Sequence, residues 1–253
     1  MGAVIFSDVH ADAAAIENVI SCIQAPSFGK KFGTIDVVVN LGDLVHRGIR
    51  PRETLEAVQT LAREFPVVSV LGNHDHAFVH GIIVSGSDST SSFRHEQLRG
   101  SSLISIFESM PMEWISHKML FVHGGPLELG NQTLRLKCWQ RLSHEAGDFF
   151  TGYHYTAQMA FEALNARGLS HMCCGHQHSH ICCRKTMKGI ARHPLEFIPS
   201  GLNHEEMPGN LEFSTIPLDV PTILRIGGCH GPEPEFAYTD FSNFSFIRIT
   251  NRK

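Results

Sequence analysis

Five times along the chain an apolar run stops abruptly at polar residues and a glycine-bearing turn: AVIFSDVH from residue 3, DVVVNLGD from 36, PVVSVLGNHD from 66, KMLFVHGG from 118 and HMCCGHQH from 171. Near-continuous Val, Ile, Leu and Phe predicts strands buried on both faces. Helical spacing fills the gaps. Residues 12 to 24 line up Ile16, Val19, Ile20 and Ile23, and residues 51 to 65 open with Pro51 at a first helical position and align Leu55, Val58, Leu61 and Phe65. A third helix is predicted over 156 to 167, stopped by Gly168. Alternating strands and helices predict an α/β layered fold, whose ligands gather beyond the carboxyl ends of the strands. After residue 190 the runs LEFIPSG, EFAYTDF and FSFIRI predict a second sheet. The stretch SGSDSTSS, 85 to 92, reads as a mobile surface loop, and regions 76–117 and 126–168 read as helical or loop insertions that could cover a site. No internal repeat or linker divides the chain, so 1–253 is taken as a single domain.

Composition narrows the function. With 253 residues the chain can bury a substantial core. No apolar run approaches the ~18 to 20 residues that cross a bilayer, and the N-terminus MGAVIFSDVH lacks signal-peptide features, which points to the cytoplasm. Seven cysteines, four of them as adjacent pairs in strand-like segments, fit buried thiols better than disulfides. A net charge of −4 and no basic stripe argue against nucleic acid as partner. The 17 histidines stand out, since imidazole is the commonest metal ligand.

The polar residues ending the five runs supply the candidate ligands: Asp8, His10, Asp43, Asn73, His123, His176 and His178. Asp8 and His10 can converge on one ion only if the backbone bends after the strand. The set of nitrogen and oxygen donors suits Mn, Fe, Zn, Co or Ni without selecting among them, and Mn is taken as the first expectation. Seven ligands exceed one zinc and suit two ions, and a carboxylate bridging them, with Asp43 the central candidate, sets the ~3.5 to 4 Å separation that lets both clamp one phosphoryl group. Histidines 117, 144, 154, 171 and 193 read as structural, while His180, His204 and His230 stay open between lining a substrate mouth and merely facing solvent. CCGHQHSHICC could be a structural zinc cluster, but its spacing does not match the paired C-x2-C of such sites.

DVH at 8–10, GDLVHRG at 42–48, GNHD at 72–75, HGG at 123–125 and GHQH at 175–178 together resemble, in order, the signature of the calcineurin-like metallophosphoesterase superfamily. The resemblance implies a four-layer αββα sandwich of two facing mixed sheets flanked by helices. It implies that Asp8, His10, Asp43 and His178 hold one metal and Asp43, Asn73, His123 and His176 the other. It further implies His74 as the catalytic acid, with Asp75 steering its ring, and Arg47 as a phosphate contact. GHQH and the tail EPEFAYTDF are similar to bacterial-type phosphodiesterases and diadenosine-tetraphosphatase-like members, implying a small phosphorylated or nucleotide substrate. His46 departs from the protein serine/threonine phosphatases, which commonly have Asp there. Phosphoprotein or phosphomonoester hydrolysis, a nuclease, and a non-catalytic scaffold on the same fold are the competing readings.

Overall fold

The computed structural model describes residues 1–202 and 207–250. Seven helices and sixteen strands follow one another as β1 (Ala3–Phe6), α1 (Ala13–Gln24), α2 (Pro26–Phe32), β2 (Val37–Asn40), α3 (Pro51–Glu64), β3 (Val67–Ser69), α4 (Asn73–His80), α5 (Ser89–Arg99), α6 (Ser105–Glu108), β4 (Glu113–Ser116) and β5 (Met119–Val122), among the described residues. The chain continues through β6 (Gln140–Leu142), β7 (Gly147–Phe149), β8 (Gly152–Tyr155), α7 (Ala157–Ala166), β9 (His171–Cys174), β10 (Ile181–Thr186), β11 (Gly189–His193), β12 (Ile198–Pro199), β13 (Asn210–Pro217), β14 (Thr222–Arg225), β15 (Glu235–Thr239) and β16 (Asn243–Thr250). One mixed sheet of seven strands runs β12-β13-β16-β15-β1-β2-β3, and a second of six runs β11-β10-β14-β9-β5-β4. Strands β1, β2 and β3 are parallel in the first sheet, and β5, β9 and β14 in the second. No described helix is long and apolar enough to cross a membrane.

The period of two along the strands builds the layers. Val4 and Phe6 share a core with Ile16 and Val19 of α1 and Leu55 and Val58 of α3. Their neighbours Ala3 and Ile5 turn the other way and meet Met119 and Phe121 of β5, Cys173 of β9 and Leu224 of β14 between the sheets. On the far side of the second sheet, Leu120, Val122, Met172 and Cys174 pack on Ala160, Phe161 and Leu164 of α7. The order is therefore helix, sheet, sheet, helix, the four-layer αββα sandwich. Apolar runs without alternation are what strands need when both faces are covered.

Two expectations change. The stretch 85–92 is only partly a loop, because α5 starts at Ser89, with the Asp88 side chain accepting from the Ser91 amide at 2.8 Å. Ser, Asp and Thr in a cluster mark a helix N-terminus as readily as a turn. The region 126–168 is not merely helix and loop; it carries a three-stranded sheet in the order β6-β8-β7 ahead of α7. Strands of three or four residues are too short for their alternation to be read in the sequence.

Candidate metal centre

Each polar cluster lies just beyond the carboxyl end of a parallel strand: Asp8 and His10 after β1, Asp43 after β2, Asn73 and His74 after β3, His123 after β5, His176 and His178 after β9. Asp8 (φ 56°), His10 (φ 50°), Asp43 (φ 60°), His176 (φ 69°) and His178 (φ 53°) occupy the left-handed region. This conformation costs on the order of 1 kcal/mol per residue, though Asp and His bear it better than most. It supplies the bend that lets Asp8 and His10 converge. The strained loops hold one another: Asp8 and His10 amides donate to the carbonyls of Gly42 (2.9 Å) and Asp43 (2.9 Å), and the Gly48 amide donates back to His10 (2.9 Å). Gly175 is dictated by close approach, since a Cβ there would strike the Ser7 hydroxyl and the Asp8 carboxylate.

The ligand atoms form two adjoining groups. In the first, His10 Nε2 and His178 Nε2 are 3.0 Å apart, and His178 Nε2 is 3.2 Å from Asp8 Oδ1. In the second, His123 Nε2 is 3.1 Å from Asn73 Oδ1 and 3.3 Å from Asp43 Oδ2, with His176 alongside. Asp43 Oδ2 also lies 3.7 Å from His10 Nε2, so one oxygen faces both groups. Its other oxygen accepts from the His74 amide at 2.8 Å. Asp8 Oδ1 and His176 Nε2 are buried without a hydrogen bond among the described residues. Lone pairs crowded together without protons between them repel, and a divalent cation relieves that repulsion. The donor set fits two divalent metal ions.

Electrostatics point the same way. Burial pushes His10 and His176 well below the ordinary imidazole range, so both are neutral donors at pH 7. Burial also opposes ionisation of Asp43, yet His123 and His74 beside it hold it well below its usual value. Against the cost of its own burial, His123 is raised by Asp43 to about 9. The His123 imidazole must lose that proton before it can bind a metal, as ligand groups generally must.

The residues around the ligands differ in part from expectation. Asp75 does not steer the His74 ring. Its two oxygens accept from the amides of Asp43 (2.7 Å), Leu44 (2.9 Å), Val45 (3.3 Å) and Gly72 (3.3 Å), so it clasps the β2 loop. Adjacent residues on the first turn of α4 point apart, which separates the Asp75 carboxylate from the imidazole before it. His74 Nδ1 is buried without a partner among the described residues, and its Nε2 lies 3.4 Å from Arg47 Nη2. Arg47 Nη1 is also 3.5 Å from His178 Nδ1, so the guanidinium lies between His74 and His178. His46 packs edge-on to His74 with ring centroids 5.4 Å apart, and its amide donates to His95 Nε2 of α5 at 2.7 Å.

Sequence reasoning missed Arg141 on β6. Burial lowers its pKa, and the Asp43 and Asp8 carboxylates lie within its electrostatic reach. A lone arginine in a strand of three residues carries no signal. His230 reaches the edge of the first group, His180 pairs instead with Glu235 at 3.0 Å, and His204 lies outside the described residues. Beside His10 a cleft of 340 Å³ is lined by Arg47, Ile49, Arg50 and His230.

A family model described as calcineurin-like phosphoesterase matches residues 1–180. No curated protein matches the chain. Among solved structures, a metallophosphoesterase from Sphaerobacter thermophilus superposes with a TM-score of 0.65 at 22% identity, covering 100% of this chain and 89% of that one. A protein serine/threonine phosphatase from Saccharomyces cerevisiae gives 0.60 at 12% identity, over 100% and 81%. A protein provisionally described as a diadenosine tetraphosphatase gives 0.54 at 13%, over 100% and 94%. At such identities the likeness is one of fold.

Proposed function

Because this chain belongs to the calcineurin-like phosphoesterase family, and so to the metal-dependent phosphoester hydrolases, we propose that it cleaves nucleotide-type phosphodiesters or dinucleoside polyphosphates. The observation that carries the reading is Asp43 Oδ2, 3.3 Å from His123 Nε2 and 3.7 Å from His10 Nε2, between two groups of ligand atoms. We assign Asp8, His10, Asp43 and His178 to one ion and Asp43, Asn73, His123 and His176 to the other. Two such ions, Mn foremost, would supply Lewis acidity to neutralise phosphoryl charge and to lower the pKa of water.

The chain's own side chains do the rest. Arg47 orients the phosphoryl oxygens, a task suited to a guanidinium fork. We assign the His74 ring, beside Arg47, as the group that delivers a proton to the departing oxygen. Asp75 keeps the loop of Asp43 in register through its four amide contacts. The nucleotide preference is supported by the 340 Å³ cleft, where Arg47 and Arg50 offer charge to a second phosphate and Ile49 offers an apolar wall. We take residues 1–253 as one domain, a reading supported by a core that joins Val4 to Ile249. A cytoplasmic location is supported by seven cysteines that form no disulfide.

The test is turnover by the Mn-loaded protein on diadenosine tetraphosphate, a nitrophenyl phosphodiester, a nitrophenyl phosphomonoester and a phosphopeptide. The anhydride and diester should lead. Faster phosphopeptide turnover would replace this reading with that of a phosphoprotein phosphatase, and metal content without turnover of any ester would leave a scaffold.

A further inference from the structure

We infer that His230 is a positioning residue that selects the metal-binding tautomer of His178, an inference resting on the assignment of His178 as a ligand. His178 turns Nε2 toward Asp8 and His10, while its Nδ1 meets two competitors: His230 Nε2 at 3.1 Å and Arg47 Nη1 at 3.5 Å. The two ask for opposite tautomers. A guanidinium only donates, so a His178 that accepts from Arg47 carries its proton on Nε2, where it blocks the lone pair meant for an ion. A His178 that donates Nδ1–H to His230 Nε2 leaves that lone pair free. His230 is the nearer partner, and pairing with it also releases Arg47 for substrate.

The loop between β14 and β15 is built to hold this ring. The Cys229 amide donates to the Ser7 carbonyl at 2.8 Å, and the Gly231 amide donates to Asp12 Oδ2 at 2.8 Å, fixing the backbone on both sides of His230. Any Cβ at Gly228 would come within 2.6 Å of His230 Cδ2 and Nε2, so the glycine makes room for the imidazole. Partners of this kind set ligand orientation, and their loss costs about 10- to 100-fold in metal affinity.

The experiment is calorimetric titration of the metal-stripped 253-residue chain with Mn²⁺. His230→Ala should weaken one of the two ions by about 10- to 100-fold and leave the other near the wild-type value. His230→Gln, whose amide oxygen accepts the Nδ1 proton, should restore most of the loss, and His230→Met, of similar bulk without a strong acceptor, should not. This pair keeps the comparison clear of folding defects in the alanine variant. Wild-type affinity for both ions in His230→Ala, or equal defects in Gln and Met, would overturn the inference. A wild-type protein that binds no Mn²⁺ would instead overturn the assignment of the metal site itself.

Discussion

His74 and Asp75 are neighbours in one motif with opposite duties. The His74 ring lies on the open side of the ligand groups, its Nε2 within 3.4 Å of Arg47. His74→Ala should therefore lower turnover by about 10²- to 10⁴-fold while elemental analysis still finds the wild-type metal content; an unchanged rate would remove it from the mechanism. Asp75 is fully buried, and burial together with the Asp43 charge raises its pKa to about 7 even though four amides donate to it. Asp75→Ala strands those amides, which costs on the order of 3 kcal/mol or more and should lower the melting temperature of the metal-stripped protein by about 6–12 °C. If melting stayed put while turnover fell, Asp75 would act on chemistry directly. Both residues could be picked out in GNHD, but only the fold separates a ring facing the site from a carboxylate facing a loop.

Among the elements, the region 126–168 is fastened to the second sheet by charge. Glu113 of β4 pairs with Lys137 and with Arg167 at the end of α7, and Lys137 also meets Glu128. Burial alone would raise the Glu113 pKa, but Arg167 and Lys137 outweigh it and hold the carboxyl below its ordinary 4.5. The folded state thus binds this proton less readily than the unfolded chain. Its contribution, about 1 kcal/mol at a partly exposed site, is complete above about pH 4.5 and drains away as pH falls through the folded-state value. Glu113→Gln should melt at a lower temperature at pH 7 and show a shallower loss of stability on acidification below pH 4.5. Parallel wild-type and variant curves would refute the coupling. Lys137 and Arg167 lie 24 and 54 residues from Glu113, and no local pattern announces such partners.

For the molecule as a whole, the candidate ligands come from both sheets: Asp8, His10, Asp43 and Asn73 follow strands of the first, His123, His176 and His178 strands of the second. A metal held by both sheets binds the folded state alone, so its affinity adds to stability. Chelation by EDTA should lower the melting temperature by about 5–10 °C, the effect of removing a ligand present at ~100 times its Kd from a domain this size, and Mn should restore it. An EDTA-insensitive transition in a protein shown to contain metal would mean that the ligands do not bridge the sheets energetically.

Local chemistry is what the chain's order of residues could determine. Continuous apolar runs announced strands covered on both faces, and five polar endings announced the candidate ligands, because strand burial and donor type are properties of a few adjacent residues. The tertiary structure alone decided which endings face each other across two sheets, that Asp43 Oδ2 faces both groups, that Asp75 serves a loop 30 residues away, and that Arg141 and His230 arrive from regions without a motif. The reason is physical. A strand's burial is encoded by its own side chains, but a distance of 3 Å between residues 52 apart, as for His178 and His230, exists only after the layers have packed.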